Sequence, residues 1–176
     1  LSVTGQDKIT RHYPHTPGID AAGLIVDSIC EGLSAGDKVM VSGYDLGRST
    51  PGGFGQYIRV PASWVVKLPD SVSLREIITF GTAGLTAALA LHKLQLLHLT
   101  PQNGAVLVTG GSGGVGTFAT GFLSTLGYKV IAATRQENAS SHLKKLGASS
   151  VIPTASLEAS TKDTLLHPRW AAAVDT

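Results

Sequence analysis

Ala105-Val106-Leu107-Val108-Thr109-Gly110-Gly111-Ser112-Gly113-Gly114-Val115-Gly116 decides how this chain reads. An apolar run stops at a glycine-rich turn, and the turn opens into a helical pattern. Gly111, Gly113 and Gly116 have G-x-G-x-x-G spacing. Such a turn lets backbone approach a pyrophosphate, whose charge sits on free N–H groups at the helix start. The spacing alone is a weak signal. The strand before it and the helix after it supply the context that supports the motif.

The helix is read from Val115, Phe118, Ala119, Phe122, Leu123 and Leu126, whose spacing puts them on one face. Gly127 follows as a stop signal. Residues 129–134 then read as a second buried strand, so the unit has the length of about 30 residues expected of a dinucleotide-binding βαβ unit. The competing reading is a βαβ turn that binds nothing. An NAD site usually places Asp or Glu about 20 residues on, to accept from the ribose 2′-hydroxyl. Here the strand ends in Thr134-Arg135-Gln136. A carboxylate would repel a 2′-phosphate, whereas Arg135, helped by Thr134 and Gln136, can bond to one. The expected cofactor is NADPH. Glu137 supports the competing NADH reading, and a solvated loop arginine is the plain alternative for Arg135.

Composition sets the bounds. The 176 residues are 43% hydrophobic, enough for a real core in one or two domains. A net charge of +2 with no long basic run argues against nucleic acid and anionic membrane as partners. The apolar helical stretch over 85–99 is interrupted by His92, Lys93 and Gln95, and reads as too short and too polar to span a bilayer. No signal-peptide pattern is visible at Leu1. The single cysteine, Cys30, excludes an intrachain disulfide and fits a reducing, cytoplasmic setting. The first residue is Leu, so the chain reads as lacking its natural start. Residues 154–168 are polar and weakly patterned, a loose helix plus loop.

The chain has two halves. Strands are expected over 22–29, 38–42, 53–60 and 64–68, with Gly32-Leu33-Ser34-Ala35-Gly36-Asp37 and Pro61 as punctuation. That spacing suggests a small barrel or sandwich. Pro69-Asp70 marks the boundary between expected domains 1–70 and 71–176. Residues 74–97 read as a helix broken near 81–84. Beyond it come strand 105–109, helix 115–126, strand 129–134, helix 138–146, strand 149–152 and strand 171–175. Their alternation argues for a parallel sheet with helices on its faces, an α/β fold. About four strands are read, against about six in a full dinucleotide fold.

Tyr13-Pro14-His15-Thr16-Pro17-Gly18-Ile19-Asp20-Ala21-Ala22-Gly23, Gly36-Asp37-Lys38-Val39, Gly53-Phe54-Gly55-Gln56-Tyr57, Gly81-Thr82-Ala83-Gly84-Leu85-Thr86-Ala87 and the glycine turn occur in that order. Together they resemble the zinc-independent quinone oxidoreductases of the medium-chain dehydrogenase/reductase superfamily. Pro17-Gly18-Ile19-Asp20 with Thr4-Gly5 and Gly43-Tyr44-Asp45-Leu46-Gly47 resembles the acryloyl-CoA reductase branch. The resemblance covers essentially the whole chain. It implies a partial GroES-like β-barrel domain followed by a partial Rossmann dinucleotide-binding domain, with the active site in the cleft between them. It implies NADPH-dependent reduction of an activated carbon–carbon double bond, acryloyl-CoA to propanoyl-CoA. A quinone reductase and a non-catalytic NADPH-binding relative are the alternatives.

By the same resemblance, Ser112, Gly113, Gly114 and Val115 would contact the pyrophosphate, with Gly111 shaping the turn. Thr86 would face the nicotinamide side, and Thr134, Arg135 and Gln136 would surround the 2′-phosphate. The substrate would be a small enoyl thioester or a quinone-like molecule, and the full-length protein a homodimer. The family's turn often has Ala where this chain has Gly111. Its first strands precede Leu1 and its last follow Thr176, so the chain reads as a segment.

Zinc-dependent relatives carry Gly-His-Glu where this chain has Gly18-Ile19-Asp20, and Ile19 cannot ligate a metal. A catalytic zinc needs about three protein ligands and a structural one about four. The one Cys and six His show no such spacing: His12 and His15 flank a proline turn, and His92 and His98 read as i, i+6 on a helix. Metal is therefore not expected. Carbonyl–alcohol chemistry would lack its Lewis acid. Conjugate reduction spreads charge onto an enolate oxygen that hydrogen-bond donors can hold. Tyr44 is the candidate catalytic proton donor, with packing between Gly43 and Gly47 as the competing role. Asp20 reads as a buried carboxylate holding turn N–H groups, Asp45 as a turn residue, and Trp64 and Tyr57 as barrel core.

Overall fold

Three short antiparallel strands organise the first half of the computed structural model, which describes residues 4, 10, 12–158 and 168–176. They are β1 (Asp20–Leu24), β2 (Lys38–Ser42) and β3 (Val66–Lys67), in the order β1-β2-β3. Asp20 pairs with Ser42 and Leu24 with Lys38. The turn before β2 is pinned by Asp37. Its carboxylate accepts the Ser34 N–H at 2.9 Å and pairs with Lys67 on β3 at 2.8 Å. The Lys67 ammonium and the Ser34 N–H hold the Asp37 carboxyl below the usual carboxylate range.

Two expected strands differ. β1 starts at Asp20 and stops at Leu24, because the Ile25 N–H and carbonyl close the ladder on Asp37 and Gly36. No strand forms over 53–60. The N–H groups of Gly52, Gly53 and Phe54 donate to the carbonyls of Thr16, Gly18 and Pro17, and the ladder goes no further. Apolar alternation becomes a barrel strand only where a neighbour pairs with it. Here β1, residues 53–62 and Val65 border an open concavity of about 1720 Å³. Tyr57 lies exposed on it, not in a core. Trp64 sits half-buried in a 3-10 turn, so β3 is shorter than 64–68. Gly5 of the expected Thr4-Gly5 motif, and residues 159–167 of the expected loose helix plus loop, lie outside the described residues.

Helix α1 (Leu74–Leu96) opens on a capping box. The Ser73 hydroxyl and N–H donate to Glu76 Oε2 at 2.6 and 2.9 Å, and the Glu76 N–H donates to Ser73 Oγ at 3.1 Å. Those bonds hold the Glu76 carboxyl below its usual range. The helix breaks at Gly81, with φ 48° and ψ −151°. The whole of α1 is longer than the apolar stretch read at 85–99, and by length and composition it could cross a membrane. The break leaves residues 82–96, about 22 Å of helix, short of the roughly 30 Å hydrocarbon core. His98 follows the helix at φ 59°, outside the helix it was expected to lie on with His92.

Compact units span Leu1–Thr82 and Ala83–Thr176. In the second, β4 (Val106–Val108), α2 (Gly114–Thr125), β5 (Val130–Thr134), α3 (Ser140–Lys145), β6 (Ser150–Pro153) and β7 (Ala172–Val174) follow in order. All strand pairs are parallel, in the order β6-β5-β4-β7. Val106, Val108 and Val130 are fully buried, as unbroken apolar runs in a parallel sheet require. α2 buries Gly116, Ala119, Thr120 and Leu123, with Val115, Phe118 and Phe122 at the flanks. Leu126, expected on the buried face, is the C-cap and is exposed. The face is rotated toward the small residues because Gly116 lies against the preceding turn. Ala87 joins this core from α1, and the Tyr128 hydroxyl donates to the Leu99 carbonyl at 2.7 Å.

Asp37 and Glu76 give stability a defined pH dependence. Both carboxyls titrate lower folded than unfolded, so their contribution is complete above the ordinary carboxylate range and is lost as pH falls through the lowered values. Asp37→Asn and Glu76→Gln should each melt below wild type at neutral pH. Thermal melts recorded down a pH series should show both gaps closing in acid.

Candidate functional site

The strand order reverses at β4, which lies between β5 and β7. In open parallel sheets, ligands bind beyond the carboxyl ends of the strands at such a point. The glycine turn sits there. Its geometry is fixed by backbone bonds: the Gly111 N–H donates to the Ala133 carbonyl at 2.9 Å, and the Gly113 N–H to the Gly110 carbonyl at 2.8 Å. Gly113 is the N-cap of α2, in extended conformation, and makes no side-chain cap bond. The first helical N–H groups have no intrahelical acceptor and carry the positive end of the helix dipole. Gly113 and Gly114 are exposed, Ser112 and Val115 half-buried, and Gly111 and Gly116 buried. A Cβ on Gly116 would lie 2.3 Å from the Gly110 carbonyl oxygen, a clash with backbone that cannot move aside.

At the end of β5 the Thr134 hydroxyl bonds Ser112 Oγ at 2.8 Å and accepts the Gln136 N–H at 3.0 Å. Three residues expected around a nucleotide are thus joined by one buried hydroxyl. Arg135 beside them is exposed and forms no ion pair with a described residue. Glu137 is exposed too. Thr86 lies exposed on α1. Five residues before the buried Val174, Arg169 stacks on Trp170, its guanidinium carbon 4.5 Å from the ring centroid.

Sequence reasoning missed a second polar cluster at this end of the sheet. The Thr109 hydroxyl donates to Asp175 Oδ1 at 2.5 Å and accepts the Thr176 N–H at 2.9 Å. The Thr176 hydroxyl donates back to the Thr109 carbonyl at 2.9 Å. The available signal was the polar residue ending each apolar strand, Thr109 after β4 and Asp175 after β7. Ala83 was missed as well: its Cβ lies 3.3 Å from where a Cβ on Gly114 would sit.

In the first unit Tyr44 stacks on Trp64, centroids 5.1 Å apart and planes within 3°. It stays 60% exposed, and its φ of 55° turns it out of the chain's path. It lines a concavity of about 810 Å³ with Ile19, Asp20, Arg48, Phe54 and Ile78. The supporting loop is locked: the N–H groups of Arg48, Ser49 and Thr50 all donate to the Asp45 carbonyl, and His15 Nε2 donates to the Gly47 carbonyl at 2.8 Å. Asp20, expected to be buried and to hold turn N–H groups, is half-buried and instead holds a helical N–H, that of Thr82 at 3.0 Å, and accepts the hydroxyls of Ser42 and Thr82 at 2.7 Å each. Among the described residues no group of three or more His, Cys, Asp or Glu could hold a metal ion.

Residues 2–70 match the alcohol dehydrogenase GroES-like domain. The putative quinone oxidoreductase YhfP of Bacillus subtilis is 45% identical over 95% of this chain and 51% of its own length. Its crystal structure with NAD bound matches at a TM-score of 0.89 and 44% identity, covering 94% of this chain and 50% of that one. Acrylyl-CoA reductase AcuI of Ruegeria pomeroyi is 41% identical over 95% of this chain and 51% of its own. The yhdH oxidoreductase of Salmonella enterica, solved in complex with NADP, matches at a TM-score of 0.95 and 40% identity, covering all of this chain and 54% of that one. The fold is thus a partial GroES-like domain followed by a partial dinucleotide-binding sheet. Over nearly its whole length the chain is similar to proteins named quinone oxidoreductase and acrylyl-CoA reductase, and its first 70 residues match the GroES-like domain of alcohol dehydrogenases. It spans about half the length of the curated relatives it matches.

The turn's dependence on a missing side chain can be measured within one helix. Gly116→Ala should lower unfolding stability by about 1–3 kcal/mol, the cost of overpacking against fixed backbone. A Cβ on Gly121, also in α2, meets nothing within 4 Å. Gly121→Ala should therefore raise stability by about 0.5–1 kcal/mol. Denaturant titration of the two variants should give opposite signs.

Proposed function

We propose that the whole protein is an NADPH-dependent oxidoreductase that reduces an activated carbon–carbon double bond, with acryloyl-CoA as substrate and propanoyl-CoA as product. The observation that carries this reading is the uncapped start of α2, with Gly113 and Gly114 exposed at the strand-order reversal. These features fit a bound pyrophosphate. In the proposed site Ser112, Gly113, Gly114 and Val115 take the pyrophosphate on their N–H groups, and Gly111 shapes the turn. Thr86 lies toward the nicotinamide. Thr134, Arg135 and Gln136 surround the 2′-phosphate. When bound, the nicotinamide supplies a hydride for the carbon β to the thioester carbonyl. This chain's residues hold the forming enolate oxygen and return a proton, and the Tyr44 hydroxyl is the proposed donor. Residues 1–70 are the proposed GroES-like catalytic domain and residues 71–176 the nucleotide-binding domain. The proposed setting is the cytoplasm, with a small-molecule substrate and a homodimeric assembly, without nucleic-acid or membrane partners.

Quinone reduction is the second reading, favoured by the name of the 45% identical relative from Bacillus subtilis. NADPH oxidation by the whole protein, with acryloyl-CoA against simple quinones, separates the two. Turnover with the thioester supports the first and turnover with quinones alone the second. Tight NADPH binding with neither turnover leaves a non-catalytic cofactor-binding relative.

Arg135 tests the cofactor. The Salmonella enterica neighbour holds NADP and the Bacillus subtilis one NAD. Arg135→Ala should weaken NADPH by about 1.5–3 kcal/mol, a charge-assisted bond, and leave NADH nearly unchanged. Fluorescence titration with both nucleotides measures it; equal losses would move Arg135 out of the 2′-phosphate site.

Tyr44 tests the chemistry. If its hydroxyl gives the proton, Tyr44→Phe should cut kcat by about a hundredfold with cofactor affinity kept. The stacked ring survives in Phe, so packing on Trp64 is a built-in control. Catalysis should also survive chelation, since Ile19 stands at the position of a zinc ligand; activity abolished by a chelator and restored by zinc would overturn that part.

A further inference from the structure

We propose that Asp20 is a positioning residue for hydride transfer, acting by capping the helix segment 82–96 at its first residue. The inference rests on the reductase reading above. Its starting point is the break in α1. At Gly81 the backbone takes φ 48° and ψ −151°, a conformation open essentially to glycine alone. A break inside a helix creates a new start, with N–H groups that have lost their acceptors. The Thr82 N–H donates to Asp20 Oδ2 at 3.0 Å. The Thr82 hydroxyl donates to Oδ1 at 2.7 Å, and so does the Ser42 hydroxyl. Asp20 is thus an N-cap delivered from 62 residues away, with its negative charge at the favourable end of the helix dipole.

The cap and the break require each other. A Cβ at position 81 would lie 2.6 Å from Asp20 Oδ2, so the carboxylate occupies the space that glycine vacates. Ser42, on β2, fixes the carboxylate from the other side, and its hydroxyl stands 3.1 Å from that of Thr82. The segment that starts here carries the proposed cofactor contacts. Ala83, its second residue, lies against Gly114, the first helical residue of the pyrophosphate turn. Ala87 is 1% exposed in the core with Val108 and Ala119. Thr86, the proposed nicotinamide-side residue, sits between them. Pinning Thr82 fixes the first residue of the helical segment on which all three lie. The pyrophosphate N–H groups belong to α2 and do not pass through Asp20. Loosening the cap should therefore disturb alignment more than affinity.

Asp20→Asn and Asp20→Ala in the whole protein test this, Asn being the isosteric variant should Ala fail to fold. Hydrogen–deuterium exchange without cofactor should show the Thr82 amide exchanging about tenfold faster or more, as loss of one charge-assisted bond implies. NADPH affinity by fluorescence titration should change less than about threefold. With saturating NADPH, kcat should fall by about tenfold to a hundredfold, the scale of a misalignment near 1 Å. The isotope effect with nicotinamide-deuterated NADPH should rise as hydride transfer becomes slower. Faster Thr82 exchange with unchanged kcat and isotope effect would overturn the proposal and leave Asp20 a structural cap. Unchanged exchange would overturn it at the first step. If wild type binds no NADPH or reduces no acceptor, the reductase reading fails, and the exchange result still reports whether the cap exists.

Discussion

The contact of Gly116 with the Gly110 carbonyl is the constraint on which the nucleotide-binding half turns. Two backbone segments meet where any side chain would intervene. The approach seats the first turn of α2 directly over the end of β4. It rotates the helix so that Gly116, Ala119, Thr120 and Leu123 face the sheet. At the N-cap, Gly113 has no side chain to offer the first helical N–H groups. An unsatisfied helix start is normally a cost. Here it faces outward at the strand-order reversal, where an anion can satisfy it. The feature that makes the turn hard to substitute is the one that suits it to a phosphate.

The first half ties its loops with backbone carbonyls and side chains together. The Asp45 carbonyl gathers three N–H groups, His15 ties the loop to Gly47, and Tyr44 is held at positive φ by stacking on Trp64. Asp20 satisfies three donors at once. A carboxylate so occupied has little capacity left for chemistry, and Ile19 beside it offers none. The reactive possibilities around the 810 Å³ concavity fall to Tyr44 and Arg48. Of these, Tyr44 is the one whose ring is held by a planar stack while most of the residue stays open to solvent.

What the sequence reveals depends on how far apart the interacting residues lie. The strand–turn–helix unit, the parallel alternation and the break in α1 are encoded within a few residues, and reading by period finds them. Residues 53–60 alternate well, yet form no strand, because pairing is a property of the neighbour. Tyr57 looked like core for the same reason. Leu126 fits the helical period but falls at the cap. Contacts between Asp20 and Thr82, or Thr109 and Asp175, join residues 62 and 66 positions apart and leave no periodic trace. Sequence could suggest that Asp20 holds an N–H; it could not say whose.

Hydrogen-bond capacity then divides the labour in the proposed nucleotide site. A hydroxyl offers one proton and two acceptor positions. Thr134, 6% exposed, already accepts from the Gln136 N–H and shares a bond with Ser112. If Thr134 gives its proton to Ser112, the Ser112 proton is free to meet a phosphate oxygen. If Ser112 donates instead, the spare proton stays on the buried Thr134, where no ligand reaches it. An arriving anion favours the first arrangement, since it presents a donor and not a lone pair. In the proposed site Thr134 would then organise the turn from below, Ser112 would contact the ligand, and the exposed Arg135 would supply positive side-chain charge at the strand end. Selectivity for a 2′-phosphate would thus rest on one exposed guanidinium, held in place by the backbone that Thr134 orders.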